Sequence, residues 1–486
     1  MSNTRATAAD SASLDTFPRL LMHHARQRPN RPAMREKEYG IWQTYTWAEV
    51  AERVRSIASG LAELGFKRGD RLAVVGDNRP RLYWSVAAAQ CLGGIPVMMY
   101  QDAVAQEMAY VMQDAEIRFA CVEDQEQVDK MLEIKGDLPL LEHVIYDDPR
   151  GLRHYNQTFL HGLDEVLEMG RIHDQNHPDF LGNEIDKGSP EDVSVMLYTS
   201  GTTGKPKGVC QSHSAFIAAA QGGCSFDKLT DQDDILSYLP MAWVGDHLFS
   251  YAQALVAGFT INCPESGETV MGDLREIGPT YYFAPPRVFE NLLTQVMIRM
   301  EDASSIKRSV FQHFMDVAKR CGADILDGKP VSAADRLQYA LGNILVYGPL
   351  KNVLGMSRIR VAYTAGAAIG PDLFRFYRSI GINLKQLYGQ TETCAYVCLQ
   401  PDGQIKLDSV GTPAPNVEVK LADNGEILVK GPMLLKAYYK RPDATAESIN
   451  AEGYFMTGDA GFFDEDGHLK IIDRAKDVGK LTGGGM

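Results

Sequence analysis

Apolar residues recur with helical spacing in the first segment of the chain that shows a clear pattern. Val50, Val54 and Leu61 lie four and seven residues apart and therefore fall on one face of a helix. Thr46, followed three positions later by Glu49, is the signature of a capping box at a helix start. The pattern predicts an amphipathic helix that begins after Thr46 and packs one face against a core.

Short apolar runs alternate with further helical patterns. The runs at 71–75 and 95–99 predict buried strands, and segment 81–91 between them predicts a helix. This alternation is typical of an α/β layer with a parallel sheet. It resumes near residue 192, where 193–199 predicts a buried strand and 212–221 a helix.

The pattern changes in the last part of the chain. Residues 417–431 alternate apolar and polar side chains around Asn424-Gly425, which predicts a β-hairpin. A second such pair flanks the acidic turn at 464–467. We therefore expect a small antiparallel β unit, a barrel or a sandwich. Residues 295–345 are predicted to be mainly helical.

Composition excludes several classes of protein. The chain has 486 residues, of which 45% are hydrophobic, so a large core is expected and disorder of the whole chain is excluded. Its net charge of −14 argues against nucleic acid as a partner. Eight cysteines without a CxxC pair favour reduced thiols and a cytoplasmic protein. The most apolar stretch, 85–100, is too short and too interrupted to span a membrane.

The strongest chemical feature is the segment from Tyr198 to Gly208. It combines five hydroxyl side chains, three glycines and two lysines directly after a predicted strand. Backbone amides at glycines, hydroxyls and lysines together favour a polyphosphate. A Walker A loop is excluded because Pro206 follows Gly204-Lys205, and the glycine spacing also departs from GxGxxG.

This segment resembles the phosphate loop of the adenylate-forming superfamily, which includes acyl-CoA synthetases, aryl-CoA ligases, luciferases and peptide-synthetase adenylation domains. Further segments resemble other motifs of that superfamily and follow in the same order, so the resemblance covers the chain from about residue 15. They are 363–368 for the adenine face, 388–392 for adenine and magnesium, 454–459 for the ribose, and 473–476 for the hinge before a small C-terminal lid.

The resemblance implies a role for each matching residue. Asp459 would accept hydrogen bonds from both ribose hydroxyls, Tyr388 would stack on adenine, and Arg474 would contact ribose or phosphate oxygens. The implied catalytic residues are Thr202, Lys205, Glu392 and Arg474, and the implied ligands of Mg²⁺ are Thr202 and Glu392. The implied nucleotide-binding residues are Thr199, Ser200, Gly201, Thr202, Thr203, Gly204, Lys207, Gly366, Ala367, Ala368, Tyr388, Gly389, Gln390, Thr391, Glu392, Asp459 and Arg474.

The implied reaction uses ATP, Mg²⁺ and coenzyme A. A carboxylate attacks the α-phosphate of ATP to give an acyl-adenylate and pyrophosphate, and a thiol then displaces AMP. In the family, a lysine of the C-terminal lid supports adenylation, and this chain ends just after the hinge. We therefore expect it to be part of a longer enzyme. If 486 residues were the whole polypeptide, we would expect ATP binding with impaired adenylation.

The acid is predicted to be a long-chain fatty acid. The helical stretch 295–345 resembles the long-chain branch of the family, whereas ligases for shorter acids usually lack it. Trp243 and His247 lie in the segment that resembles the acyl pocket and its gate, and Tyr282 lies in an aromatic cluster that could line an apolar tunnel. For all three residues, plain core packing is the alternative.

The predicted fold is α/β, the large domain of an adenylate-forming enzyme with two α/β subdomains and a smaller antiparallel β-barrel subdomain. The predicted units are a loose tail at 1–14, an α/β subdomain at 15–190, a second at 191–395 with the phosphate loop and acyl pocket, a β-rich subdomain at 396–472, and a hinge at 473–486.

Several alternatives stay open. The acyl group could pass to the phosphopantetheine of a carrier protein, or the chain could bind nucleotide or acyl ligands without catalysis. A P-loop kinase is disfavoured by the failed Walker spacing. No transmembrane segment is expected, although peripheral contact with a membrane for fatty-acid uptake and a homodimer are both compatible with the family resemblance.

Overall fold

Three β-sheets flanked by helices form the architecture of the described part of the chain. The computed structural model describes residues 14–199 and 204–477. Within these ranges the nine-stranded sheet has the order β16-β15-β14-β13-β12-β10-β11-β1-β2. The eight-stranded sheet has the order β19-β9-β8-β4-β3-β5-β6-β7, and the four-stranded sheet has the order β17-β18-β20-β21.

The strands are numbered in the order in which they occur along the chain. The first eleven are β1 (Pro32–Glu38), β2 (Ile41–Thr46), β3 (Arg71–Val75), β4 (Ile95–Met99), β5 (Phe119–Val122), β6 (His143–Tyr146), β7 (Leu160–Gly162), β8 (Val193–Thr199), β9 (Lys207–Ser212), β10 (Asp234–Leu236) and β11 (Thr260–Cys263). The others are β12 (Tyr281–Phe283), β13 (Val361–Thr364), β14 (Leu384–Tyr388), β15 (Cys398–Leu399), β16 (Thr412–Pro413), β17 (Glu418–Leu421), β18 (Glu426–Lys430), β19 (Ala437–Tyr438), β20 (Phe455–Phe463) and β21 (Leu469–Arg474).

The helices cover the sheets. The first eight are α1 (Phe17–Gln27), α2 (Trp47–Glu63), α3 (Pro80–Cys91), α4 (Ala105–Asp114), α5 (Gln125–Ile134), α6 (Leu163–Asn176), α7 (Phe180–Asp186) and α8 (His213–Asp227). The others are α9 (Val244–Asp246), α10 (Gln253–Ala257), α11 (Val270–Ile277), α12 (Pro286–Glu301), α13 (Ser305–Leu326), α14 (Ala333–Gly342), α15 (Gly348–Val353), α16 (Pro371–Ser379) and α17 (Pro442–Ser448). Short π-helical segments, His247–Ala252 and Asn343–Tyr347, join α9 to α10 and α14 to α15.

The predicted amphipathic helix is confirmed as α2. The Thr46 hydroxyl accepts from the Glu49 amide at 3.3 Å, and the Glu49 carboxylate accepts from the Thr46 amide at 2.8 Å, so the capping box is present. Val50, Val54 and Leu61 are fully buried on its inner face. The helix begins where it does because these two residues satisfy amide groups that its first turn leaves unpaired.

The predicted parallel layer is also confirmed. In the eight-stranded sheet β3 pairs in parallel with β4 and β5, and β6 extends the parallel set. The segment predicted as a buried strand at 193–199 is β8, and β9 runs antiparallel to it. Of the residues between β8 and β9, 204–206 are described and 200–203 lie outside the described residues, so the phosphate-loop prediction for 200–203 stays a prediction.

The C-terminal pattern folds as predicted into antiparallel hairpins. β17 pairs with β18 around Asn424-Gly425, and β20 pairs with β21 around the turn at 464–467. The region predicted to be mainly helical, 295–345, holds the end of α12 and the whole of α13 and α14. All eight cysteines are buried free thiols, as expected. Among the described residues, no helix combines the length and the apolar character needed to cross a bilayer.

Candidate functional site

A cavity of about 960 Å³ lies between the nine-stranded sheet and the four-stranded sheet. The last residues of three neighbouring parallel strands reach it: Phe283 of β12, Thr364 of β13 and Tyr388 of β14. The four-stranded sheet contributes Asp459 of β20 and Arg474 of β21. Carboxyl ends of parallel strands are the usual place for ligands in α/β sheets, because side chains from separate strands converge there.

Asp459 is the best-anchored polar side chain of the cavity. Its Oδ2 accepts hydrogen bonds from the Tyr388 hydroxyl and from Gln390 Nε2, both at 2.6 Å. Its Oδ1 accepts from an Arg474 guanidinium nitrogen at 2.6 Å. Burial and the neighbouring Asp459 carboxylate raise the pKa of Tyr388 well above its ordinary value, so Tyr388 remains a donor. The result is a fixed carboxylate at the rim of the cavity.

Glu392 forms a second acidic position in the same cavity. It lies on the 3₁₀ turn Thr391–Thr393, and its Oε1 accepts from the Tyr438 hydroxyl at 2.8 Å. Lys207 Nζ lies 5.3 Å from the centre of the Tyr438 ring, which is cation–π distance. Burial and Glu392 raise the pKa of Tyr438 above its ordinary value. Lys207, Tyr438 and Glu392 therefore form one polar group at the β9 and β19 side of the cavity.

Gly389 permits the tight turn that carries Glu392. A Cβ added at Gly389 would lie 2.2 Å from the Ala395 carbonyl carbon, a distance that no side chain tolerates. We expect Gly389→Ala to lower the free energy of unfolding by about 1–3 kcal/mol, because the turn must shift to make room. Urea unfolding measures this. Gly267→Ala, in a loop where nothing lies within 4 Å of the added carbon, is the matched control. Equal stability of the two variants would contradict the expectation.

An aromatic wall bounds the other side of the cavity. The Trp243 and Phe283 rings stack with centres 5.6 Å apart and an interplanar angle of 19°. Phe249 stacks behind Phe283 at 4.3 Å. Trp243 also lies against Gly366, where an added Cβ would be 3.4 Å from the indole. The cavity therefore has a polar end around Asp459 and Glu392 and an apolar wall at Trp243.

A buried hydrogen-bond network holds the segment that carries Trp243. Asp246 is 1% exposed and accepts from the Tyr83 hydroxyl at 2.7 Å, the Ser237 hydroxyl at 2.9 Å and the Asn78 amide at 3.1 Å. Burial raises the pKa of Asp246 to about 6, and these hydrogen bonds oppose that rise. Asn78 and Tyr83 come from the eight-stranded-sheet part of the chain, so the network ties it to the cavity wall.

The raised pKa of Asp246 gives a pH prediction. The folded state takes up this proton near pH 6, whereas the unfolded chain takes it up near pH 4, so Asp246 adds stability as pH falls between these values. The slope approaches about 1.4 kcal/mol per pH unit. The variant Asp246→Asn lacks the titrating carboxyl group and therefore lacks this contribution to the pH dependence of stability. Urea midpoints from pH 8 to pH 5 measure the difference between parent and variant, in which other titrating groups cancel. Identical slopes would contradict the expectation.

Most of the predicted site residues meet in this cavity. The ones that line it are Thr199, Lys207, Trp243, Gly366, Ala367, Ala368, Tyr388, Gly389, Gln390, Thr391, Glu392, Asp459 and Arg474. Gly204 and Lys205 are described but do not line it, and Lys205 Nζ lies 5.4 Å from the Tyr110 ring centre instead. Ser200, Gly201, Thr202 and Thr203 lie outside the described residues.

The structure places two predicted pocket residues elsewhere. His247 is 2% exposed and packs against Phe17, Phe216 and Tyr251 rather than against the cavity. Burial lowers the pKa of His247 to about 3, so it is neutral. Tyr282 is completely buried in a separate apolar cluster. Both residues are therefore packed in the core, which was the alternative given for them in the sequence analysis.

Sequence reasoning missed other cavity residues. Tyr438 contacts Glu392 only because β19 pairs with β9, and no motif marks it. Glu426 accepts a hydrogen bond from the Gly458 amide at 2.9 Å and so fixes the backbone just before Asp459. Thr364 belongs to the segment 363–368 predicted for the adenine face, although it was not singled out; its hydroxyl is buried and has no hydrogen-bond partner within the described residues, which leaves a polar position on the cavity wall.

Comparisons with known proteins identify the family of the chain. The sequence profile of the AMP-binding enzyme family matches residues 21–439. The long-chain-fatty-acid–CoA ligase FadD15 of Mycobacterium bovis is 29% identical over 97% of this chain and 76% of its own length. The long-chain-fatty-acid–CoA ligase ACSBG1 of the rat is 27% identical over 94% of this chain and 64% of its own length.

Solved structures share the fold. The N-terminal domain of FACL13 from Mycobacterium tuberculosis superposes with a TM-score of 0.70 at 20% identity, covering 94% of this chain and 100% of that domain. The long-chain-fatty-acid–CoA ligase FadD1 of Archaeoglobus fulgidus gives a TM-score of 0.70 at 19% identity, covering 94% of this chain and 84% of its own. Since the family profile spans most of the sequence and the fold agrees, the chain belongs to the AMP-binding enzyme family.

Proposed function

We propose that this chain activates a long-chain fatty acid with ATP, forming an acyl-adenylate and pyrophosphate, and that the acyl group then passes to coenzyme A. The proposal rests on one observation: Asp459, Glu392 and Trp243 line the same cavity, so two carboxylates and an apolar wall face one space. A nucleotide needs polar groups at ribose and phosphates, and an acyl chain needs an apolar surface. One cavity offers both.

The nucleotide is proposed to bind at the Asp459 end. A carboxylate can accept from both ribose hydroxyls at once, and Asp459 is already fixed by Tyr388 and Arg474. The flat Tyr388 ring and the chain at 366–368 form a surface for adenine. The phosphates would then extend toward Lys207 and the loop at 199–204.

Glu392 is proposed to hold Mg²⁺. Only one of its oxygens bonds to Tyr438, so within the described residues the other has no hydrogen-bond partner. Mg²⁺ is commonly held by one or two carboxylates together with water and substrate phosphates, which fits a site with a single carboxylate. When bound, the ion would neutralise phosphate charge. The second ligand predicted from the sequence, Thr202, lies outside the described residues.

The proposed chemistry has two steps. A carboxylate oxygen of the fatty acid forms a bond to the α-phosphorus of ATP while the bond to pyrophosphate breaks. The thiolate sulfur of coenzyme A then bonds to the acyl carbon, and AMP leaves with the bonding electrons. Two anions meet in the first step, so positioning and local positive charge lower the barrier. Lys207 and Arg474 are the cations that line the cavity among residues 14–199 and 204–477.

The length of the acid is proposed from the aromatic wall together with the relatives, whose names state long-chain fatty acids. Trp243 covers Gly366 and stacks on Phe283, so its indole limits the apolar end of the cavity. We expect Trp243→Ala to change the preference for chain length, seen as a shift in relative kcat/KM between octanoate and palmitate. An unchanged ratio would argue that Trp243 is packing only.

Transfer to a carrier-protein phosphopantetheine is the alternative to coenzyme A, and supplying each acceptor separately distinguishes them. Location in the cytoplasm, peripheral contact with a membrane and a homodimer are carried forward as predictions. The boundaries near residues 190, 395 and 472 are likewise proposed.

Two measurements test the reaction. The first is ATP–pyrophosphate exchange with acids from acetate to palmitate, where exchange that increases with chain length is expected. The second is calorimetric binding of an unreactive acyl-sulfamoyl analogue of the adenylate, which needs no turnover. Binding without exchange would favour a non-catalytic role for this chain. No binding of the analogue and no exchange would overturn the proposal, and formation of ADP in place of AMP would indicate a kinase.

A further inference from the structure

Tyr438 contacts two charged residues of the cavity at once. Its hydroxyl donates to Glu392 Oε1 at 2.8 Å, and Lys207 Nζ lies 5.3 Å from the centre of its ring. Lys207 is the first residue of β9, Glu392 lies on the 3₁₀ turn after β14, and both line the cavity together with Tyr438. One side chain therefore meets the carboxylate proposed for Mg²⁺ and a cation beside the path proposed for the phosphates.

The backbone around Tyr438 is fixed by hydrogen bonds. β19 pairs with β9 so that Tyr438 lies opposite Val209, and the Tyr438 amide donates to the Thr445 hydroxyl at 2.9 Å. Three residues earlier, the Leu435 amide donates to the Glu392 carbonyl at 2.8 Å. The segment that carries Tyr438 thus holds the main chain of Glu392 as well as its side chain.

The hydrogen bond from Tyr438 leaves one oxygen of the Glu392 carboxylate open. Both oxygens of a carboxylate can accept a hydrogen bond or bind a cation, and among the described residues only Oε1 has a partner. A glutamate side chain loses much of its rotamer freedom when it is fixed in one place. Because Tyr438 already fixes Glu392, a cation that binds Oε2 meets a side chain that is ordered in advance.

Lys207 and Glu392 do not pair with each other. Within residues 14–199 and 204–477, neither side chain forms an ion pair. Opposite charges in one cavity attract, and an ion pair between these two would cancel charges that a complex of metal and phosphate needs. The face of the Tyr438 ring attracts the ammonium group instead, while the hydroxyl binds the carboxylate. Tyr438 thus leaves both charged groups available to a ligand.

We propose that Tyr438 is a positioning residue for the divalent cation, because its hydroxyl orients the Glu392 carboxylate toward the nucleotide phosphates. Groups that hydrogen-bond to a metal ligand fix the orientation of that ligand, and their loss typically weakens metal binding about 10–100-fold. The inference rests on the proposed function, since it requires a nucleotide whose phosphates share the cation. It adds to that function a residue that lies outside the motifs found in the sequence.

The test measures how much Mg²⁺ tightens nucleotide binding, without turnover. Calorimetry with α,β-methylene-ATP, which cannot release pyrophosphate, gives the affinity in saturating Mg²⁺ and in EDTA. We expect Tyr438→Phe, which keeps the ring beside Lys207 and removes the hydroxyl, to bind the analogue about tenfold more weakly than the parent in Mg²⁺. In EDTA the variant and the parent should bind the analogue equally. They should also bind AMP equally in EDTA, since neither of these measurements involves the cation.

Tyr439→Phe is the matched control. The Tyr439 hydroxyl donates to Glu116 Oε2 at 2.7 Å, and Tyr439 does not line the cavity, so this variant loses a similar hydrogen bond at the neighbouring position. We expect its binding to match that of the parent in all three measurements, and urea unfolding checks that both variants are folded. A loss confined to Tyr438→Phe in Mg²⁺ supports the proposal.

Three results would overturn the role of Tyr438 while leaving nucleotide binding in place. The first is unchanged binding in Mg²⁺ by Tyr438→Phe. The second is an equal loss in Mg²⁺, in EDTA and for AMP, or the same loss in Tyr439→Phe, because either would indicate a structural effect. The third is a parent whose affinity for the analogue does not depend on Mg²⁺. A parent that binds neither the analogue nor AMP would refute the proposed function, and this inference with it.

Discussion

An Asp459→Asn variant is expected to bind ATP about a hundredfold more weakly than the parent chain. The carboxylate can accept from both ribose hydroxyls, and hydrogen bonds to a charged group contribute about 1.5–3 kcal/mol each. In the free protein the Asp459 carboxylate already accepts hydrogen bonds from Tyr388, Gln390 and Arg474. Part of the free energy gained from the ribose hydroxyls is therefore offset. Asparagine keeps the shape but has one acceptor oxygen and no charge. Titration calorimetry with ATP and AMP measures the effect.

Asp466→Asn is the control for this change. Asp466 lies in the turn before β21, is exposed, and pairs with Lys406 rather than facing the cavity. We expect its affinity for ATP to match that of the parent. If the Asp459→Asn variant also bound ATP with the affinity of the parent, the nucleotide would not use this carboxylate. Weakening in both variants would indicate a general effect of charge.

The largest expected loss of stability comes from Lys385→Met. Lys385 Nζ on β14 lies 2.9 Å from Asp227 Oδ1 at the end of α8, and both side chains are at most 1% exposed. Removing the lysine leaves a carboxylate buried without its cation, which costs about 3–5 kcal/mol. Burial already raises the pKa of Asp227 against the attraction of Lys385. Chemical denaturation at pH 7 measures the difference.

Two further variants make the test specific. Lys385→Met/Asp227→Leu removes both buried charges, and we expect it to recover much of the lost stability. The other partner of Lys385, Asp402, lies 2.9 Å from its Nζ but is 62% exposed, so water can solvate that carboxylate. Lys420→Met breaks an exposed pair with Glu452 and should cost less than about 1 kcal/mol. If the double variant were as unstable as the single one, lost packing would explain the effect better than unpaired charge.

The site also connects nucleotide binding to the end of the described chain. Arg474 is the last residue of β21, and it bonds to the same carboxylate that we propose for the ribose. Burial is slight there, and the hydrogen bond to Asp459 raises the pKa of Arg474, so the guanidinium keeps its charge. A ribose at Asp459 would compete with Arg474 for the carboxylate. The hydrogen bonds from the ribose hydroxyls are therefore expected to contribute only part of their full free energy to ATP binding.

Local sequence chemistry predicted the pieces of the site, because each motif is contiguous. The strand at 193–199 and the hairpin around Asn424 depend on neighbours a few residues away. The β1–β2 hairpin was not predicted, since its strands are largely polar and partly exposed and show no apolar alternation. Its place in the nine-stranded sheet comes from the parallel pairing of β1 with β11, a contact between segments far apart in the chain.

The sequence could not predict which of the aromatic side chains line the cavity. Trp243 and Phe283 line the cavity, whereas His247 and Tyr282, which lie four residues and one residue away from them, are buried elsewhere. Along a strand, adjacent side chains point to opposite faces, so Tyr282 and Phe283 face different layers. Which face meets the cavity depends on how the sheets pack.

The sequence by itself determined the helix that starts at Thr46, the hairpins, the order of the motifs and the family they resemble, because helical period, turn residues and contiguous motifs are local properties. The tertiary structure decided that Tyr438 contacts Glu392, that Tyr388 donates to Asp459, and that Trp243 forms the apolar wall. These contacts join segments far apart in the chain, and their geometry follows from packing three sheets together rather than from any local preference.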